Sequence, residues 1–536
     1  MITSYLFHSP KGGAGRGLSL LSILLFAIAA QAQDTYMNER ITNNSSDVIG
    51  TARYVGMGGA LGALGADMSV ISWNPAGIGL IRKSDIALTF GGTWGKSSIS
   101  EEDRGKGTFD QIGFVYNIKT GSETCPYVNF SFNFQKKINF NHNFYADNGN
   151  LNELSQLDQV AELTDWDAGT ENLEGMAWDN GFFGESTFLD KDGREKKYRY
   201  NKYGSSLSNL YTHHSEGSLQ SFDFNLSTNI QDRAFLGLTV GVDNMRYRGW
   251  NFYSEQDMDG NDKYYLNSNT HISGTGVNVK LGAIIRPIES SPFRFGIVVE
   301  TPTWYRLKNS TWFDICRGDN YGGLATEPWE SYLKFNLRSP WKVRTSIGST
   351  VGSTFAWDVD YEFAAYAGTS MGYPKYESDY DGSTSGTTKD NAMNQLTRDN
   401  LRGTHTLRVG MEVNANKHLA FRLGYNLSTS AYKKNISYDQ YNINSAAMDY
   451  ATSTSYMRLG NTNILTCGMG YHTKSFYIDF AYKIRNQKAD FYAFDTSFTN
   501  SSQFVLDNPL LENETIDPVG VDLTRHTVTC TLGFKF

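Results

Sequence analysis

Residues 476–485 read FYIDFAYKIR, in which Phe476, Ile478, Phe480, Tyr482 and Ile484 alternate with Tyr477, Asp479, Ala481, Lys483 and Arg485. Successive side chains of a strand point to opposite faces, so one face here is apolar and the other polar or small. The pattern recurs upstream. Val128, Phe130, Phe132 and Phe134 alternate with Asn129, Ser131, Asn133 and Gln135, and Leu236, Leu238, Val240 and Val242 alternate with Gly237, Thr239, Gly241 and Asp243. A β-sandwich also alternates, but its strands are usually about five or six residues long. These runs often reach about ten, the length a tilted membrane strand needs.

The links between runs favour the membrane. Short links near 120–124, 230–233, 287–292, 352–353, 414–418 and 473–475 take turns with long polar stretches at 145–217, 254–270, 317–330, 368–402, 432–461 and 494–521. Tight turns on one side and extended loops on the other mark a transmembrane barrel. Counting 332–340 and 341–351 as separate strands gives fifteen and breaks that alternation; joining them, with Pro340 at a bend, gives fourteen. Single-chain bacterial barrels are normally even-numbered. The expectation is therefore an all-β fold, a fourteen-stranded antiparallel transmembrane barrel over 84–536. The closing strand places Val528, Cys530, Leu532, Phe534 and Phe536 on one face. Its aromatic end resembles the signal read by outer-membrane assembly machinery.

Composition agrees. Aromatics are 14%, Gly is 52 of 536, and charged residues are 19% against a usual value of about 25%. Long strands exclude Pro, of which there are 11. The net charge of −8 argues against a nucleic-acid partner. Beyond the first residues no apolar run is long enough for a membrane helix. At the start, Lys11 and Arg16 precede a short apolar run at 18–29, and Ala30-Gln31-Ala32 has the small-x-small form cut by signal peptidase. Residues 1–32 read as an export signal that leaves Gln33 at the new N-terminus. Cys125, Cys316, Cys467 and Cys530 are too dispersed for a disulfide-built scaffold.

Residues 51–80, TARYVGMGGALGALGADMSVISWNPAGIGL, precede the first strand. Gly56, Gly58, Gly59, Gly62 and Gly65 do not form a dinucleotide site, because Leu61 breaks the GxGxxG spacing. Gly95-Lys96-Ser97 has Phe90 where a phosphate loop needs Gly. Small residues let backbone pack on backbone, so 33–83 is expected to form a compact plug. This segment, with Asn74-Pro75-Ala76 before the first strand, resembles the hatch of the FadL family of long-chain fatty acid and aromatic hydrocarbon transporters, in its Bacteroidetes-like branch. Asn74, Pro75 and Ala76 match the family's hatch motif, although Asn-Pro is also a plain turn signal.

The resemblance implies passive transport: docking of a hydrophobic small molecule on outer loops, binding in the lumen, then lateral release to outer-membrane lipid. It also implies a monomer. A kink in the third strand would open the wall, which makes Gln135, Lys136 and Lys137 gate candidates. Parity points Lys136 at lipid, so either the strand bulges there or Lys136 has reached the outer interface and snorkels, the simpler expectation. The stretch lacks the glycine expected at a kink.

Leu151, Leu154, Leu157, Val160, Ala161 and Leu163 recur at helical spacing inside the longest loop, which is therefore expected to be partly helical. That stripe either packs into its own loop or forms the ligand-docking groove. Lys280, Arg422, Lys483 and Arg485 fall on the inward parity, as ordinary lumen charges or as attractors for a carboxylate. No catalytic motif or cofactor site is evident, so an enzyme is not expected. Two alternatives stand beside transport. One is a barrel scaffold in a secretion or surface-assembly machine; the other is a haem receptor using His213 and His214.

Overall fold

The computed structural model describes residues 47–95, 105–162, 173–189, 193–318, 329–376, 384–434, 436, 445 and 453–536. The expected export signal at 1–32, the stretch 33–46 and Leu163 lie outside them. Fourteen strands form the wall: β1 (Asp85–Gly95), β2 (Lys106–Lys119), β3 (Tyr127–Asn139, resumed at His142–Asn148), β4 (Ser208–Ile230), β5 (Ala234–Gln256), β6 (Asp262–Ile285), β7 (Arg294–Glu300, resumed at Trp304–Arg317), β8 (Trp329–Arg338, resumed at Lys342–Val351), β9 (Phe355–Ala365), β10 (Gly403–Asn414), β11 (Leu419–Ser428), β12 (Tyr456–His472), β13 (Phe476–Tyr492) and β14 (Arg525–Lys535). Each pairs antiparallel with its neighbours. The barrel closes where β1 meets β14, from Asp85↔Lys535 to Gly95↔Arg525.

Ser339-Pro340-Trp341 interrupts β8 without ending it, and Thr301-Pro302-Thr303 interrupts β7 alongside. Ser339 and Thr303 bridge the two breaks, with the Thr303 amide donating to Ser339 Oγ at 2.8 Å. Proline lacks the amide a ladder needs, and here both prolines share one level of the wall.

The exterior is apolar. Phe130, Leu226, Leu281 and Leu465 are each 45–58% exposed, and similar side chains point outward around the barrel. Such a surface belongs against hydrocarbon, with polar side chains on the lumen side. Below, "lower" means toward the short turns and "upper" toward the long loops. Residues 47–83 lie in the lower lumen as short helices Ala52–Gly56, Met68–Ser72 and Pro75–Leu80 joined by turns. The long loops form a cap with its own apolar core, including the helices Gln156–Glu162 and Leu173–Asp179.

Candidate functional site: the lumen floor, the apolar cluster above it and a break in the wall

The lower lumen is filled by backbone meeting backbone. Gly58 has φ +65°, and a Cβ on Gly424 of β11 would sit 2.1 Å from its amide nitrogen. Only a pair of glycines allows that approach. Gly56 abuts Gly468 of β12, and Gly65 at φ +59° abuts Gly77 within the segment. The Gly62 amide donates to Asp360 at 3.2 Å, and the Gly59 carbonyl accepts from Arg408 at 3.2 Å. Asn74 is fully buried: its Nδ2 donates to the Gly62 carbonyl at 2.6 Å, while its Oδ1 caps Ala76 N at 3.2 Å. Pro75 and Ala76 rest on Gly237 of β5 and Gly282 of β6, where any side chain would collide. Glycines on the wall thus receive the segment.

Charges complete the floor. Asp358 Oδ2 accepts the amides of Ala63 and Leu64 at 3.0 and 2.7 Å. Trp73 donates through Nε1 to Asp360 at 2.7 Å, and its ring lies beneath the guanidiniums of Arg408 and Arg344, at 3.5 and 4.3 Å. Arg344 bridges Glu300 and Glu362, both at 2.5 Å. A buried charge persists when it is paired and hydrogen-bonded, as Arg344 is between its two glutamates.

The four lumen charges singled out by parity do face inward, each at most 4% exposed. Lys280 meets Asn278 at 2.7 Å and Asp223 at 3.4 Å. Arg422 pairs with Glu412 at 2.6 Å and Asp479 at 2.5 Å. Lys483 holds Asp47 of the segment at 2.8 Å, and Arg485 donates to Gln487 at 2.8 Å. Three of them are therefore engaged with carboxylates of the protein itself. The structure does not bring the four together at one point.

Above the floor the lumen changes character. Ile138, Phe140, Met245, Tyr247, Tyr305 and Leu307 face inward and pack together with Leu337 and Met393. The sequence reading missed this apolar cluster. Its signal was present as an inversion along β5, where the outward face passes from Leu236, Leu238 and Val240 to Arg246 and Arg248 while the inward face gains Met245 and Tyr247. Above the cluster, Leu151, Leu154, Leu157 and Val160 are buried within 0–2% in the cap core, against Phe182, Tyr264 and Phe498. Of the two readings of that stripe, packing into its own loops is the one adopted. An exposed docking groove would require these leucines to turn outward.

The wall has one interruption at the gate candidates. β2 and β3 pair from Lys119↔Tyr127 to Gln111↔Gln135 and no further. On its other side β3 stays on β4, with a bulge between Lys136 and Ile138. The bulge turns Lys137 inward to Asp243 at 2.7 Å. The opposing edge is irregular too, since β1 and β2 shift register between Thr89 and Phe90 and leave Asp110 unpaired in that ladder. Lys136 and Asp110 meet across the head of the break at 3.5 Å. Lys136 does not snorkel at the interface as expected; it is buried, because the bulge and the facing carboxylate draw it into the wall. Gln135 reaches the Ile49 carbonyl of the floor and accepts from Ser72 at 3.0 Å. Beside the break an open recess of about 610 Å³ is lined by Lys106, Phe109, Phe134, Lys136 and Arg246 among others.

His213 and His214 diverge. His213 Nδ1 is 2.6 Å from Asn251 Oδ1 inside the barrel, whereas His214 bonds Asn143 and its ring lies tilted, 5.1 Å from that of Trp250, on the outer side. The two rings cannot share one haem iron from opposite faces of a strand.

No protein-family model and no curated protein matches the chain. Solved barrels similar to it include a Pseudomonas aeruginosa FadL homologue, at 11% identity and a TM-score of 0.48 over 91% of this chain and 98% of that one. The Ralstonia pickettii toluene transporter TbuX gives 12% and 0.44, covering 91% and 99%. The Pseudomonas putida toluene transporter TodX gives 10% and 0.46, covering 91% and 98%.

Proposed function

We propose that the chain is a passive outer-membrane transporter of hydrophobic small molecules, long-chain fatty acids or compounds like them, working as the FadL resemblance implies. One observation carries the reading: the lumen is filled by 47–83 below an apolar interior, while at that height β2 and β3 are not paired. A ligand that reached the apolar interior through the cap would find the axial route blocked by 47–83. The break between β2 and β3 offers a sideways exit at the height of Ile138 and Phe140. Gln135 ties that edge to the floor segment, so a shift of the segment held by Asn74, Pro75 and Ala76 would be felt at the break. Release into lipid needs no energy source, because an apolar molecule gains by leaving water-facing surfaces.

The test is a lock across the break. In a background with the four native cysteines changed to serine, Asp110→Cys and Lys136→Cys are oxidised to join β2 to β3. Uptake of a fluorescent long-chain fatty acid by intact cells should fall to the level of cells lacking the protein and return with reductant. Unchanged uptake with the bond formed would rule out lateral release.

A further inference from the structure

Six basic side chains stand exposed on the outer face of three strands near one height: Arg246 and Arg248 on β5, Arg306 and Lys308 on β7, and Lys334 and Arg338 on β8. Register gathers them. Arg246 lies opposite Ser273 of β6, Ser273 lies opposite Lys308, and Lys308 lies opposite Lys334. Two like charges directly across a ladder repel each other. Among the described residues the only ion pair made by any of the six joins Arg248 to Glu216 at 3.7 Å. The nearest aid to Lys308 is the Tyr332 ring, 4.6 Å from its ammonium.

The patch sits at the upper limit of the apolar exterior. Val242, Val277 and Trp304 succeed one another in register just beneath it, and Trp304 lies opposite Arg338. Tryptophan marks the depth at which hydrocarbon gives way to headgroups. Where the apolar exterior ends on β12 and β13 the next outward residues are Asn463 and Asn486, which face each other and are neutral. The positive charge is therefore absent at that level of β12 and β13, and apart from Glu216 at Arg248 no described carboxylate pairs with the six.

We propose that this sector is a binding site for the phosphate headgroups of lipids in the leaflet on the long-loop side. Guanidinium forks and ammonium groups are the natural partners of phosphate oxygens. Headgroups at this depth are held against the wall by their own acyl chains, over the apolar surface below. The site is independent of what the lumen carries, and it flanks the break between β2 and β3 through Arg246 and Arg248.

The full chain is reconstituted in phosphatidylcholine nanodiscs containing ~20% phosphatidylglycerol, and the anionic lipids that stay bound are counted by native mass spectrometry. Changing Arg246, Lys308, Lys334 and Arg338 to Gln should lower their number about fivefold or more. A control with Lys417→Gln and Lys474→Gln, in the short turns, should retain them as the wild type does. Heat-modifiable gel migration verifies the barrel, and the milder Lys308→Gln/Lys334→Gln pair replaces the quadruple variant if that does not assemble. Equal retention by patch variant and wild type overturns the proposal. So does inorganic phosphate stabilising the wild type against heat as much as the anionic lipid, since that marks a site for free anions.

Discussion

As far as Asp243 on β5 the lumen side carries Gly237, Thr239, Gly241 and Asp243; above that stand Met245 and Tyr247. The lower lumen pairs a polar wall with a segment whose backbone amides and carbonyls need partners, as in the bonds from Ala63 and Leu64 to Asp358. The upper lumen has an apolar wall, on which Met393 and Leu396 of the helix Asn391–Asn400 pack. Each half is matched to its contents: the floor is held by backbone groups that need polar partners, the upper part by apolar side chains that pack on one another. β7 and β8 make the change at the breaks 301–303 and 339–341, where the inward parity switches from Gly296, Glu300, Lys342 and Arg344 to Tyr305, Leu307, Phe335 and Leu337.

Removing the floor tests this contrast most severely. Deleting residues 51–79 should leave an assembled, heat-modifiable barrel, since the wall ladders do not depend on it. The lower half then becomes a polar, water-filled bore, and leakage of small hydrophilic solutes should rise on the order of tenfold. A deletion mutant as tight as the wild type would show that the segment does not seal the lumen.

A subtler change separates seating from presence. Gly424→Val places a side chain against the Gly58 amide, while Gly92→Val on β1 meets nothing within 4 Å. Overpacking of this kind costs about 1–3 kcal/mol. The first variant should melt earlier and leak moderately; the second should match the wild type in both assays. Identical behaviour of the two would mean that the floor is more compliant than its glycine contacts suggest.

The smallest expected effect lies in the cap. Burial pushes the Asp158 carboxyl up to about 7, against the lowering influence of its bond from Asn201. A folded-state value above the unfolded one gives stability that is present at low pH and lost as pH rises through about 7. Protection of the cap from protease should therefore weaken modestly from about pH 5 to about pH 8, and Asp158→Asn should flatten that dependence. A slope unchanged in the variant would assign it to another group.

Much of the wall was legible because period two is a local property. Fourteen strands, the join at Pro340 and the inward Lys280, Arg422, Lys483 and Arg485 all follow from parity and loop length. What escaped depends on neighbours. A bulge is a relation between two strands, so nothing in Gln135-Lys136-Lys137 alone shows that Lys137 turns inward and Lys136 meets Asp110. The apolar cluster escaped for another reason. Alternation tells which residues share a face, but which face is apolar depends on height in the membrane, so the inward Met245 and Tyr247 do not follow from it. The stripe at Leu151, Leu154, Leu157 and Val160 was visible as a helix face, yet its partners Phe498 and Tyr264 lie far along the chain.

The floor also has a place in time. The Ala52 amide donates to Thr531 Oγ1 at 2.8 Å across 479 residues, and Asp47 is clasped by Lys483 and by Arg525 at 2.8 and 2.6 Å. The earliest described part of the chain is thus moored to the last strands to be synthesised. Closing so long a loop is slow, and nothing local rewards it beforehand. Val55, Leu61 and Ile71 are buried in the finished barrel. The strand that seals the seam with β1 therefore also holds the floor, so closure of the wall and seating of the floor are coupled through one strand.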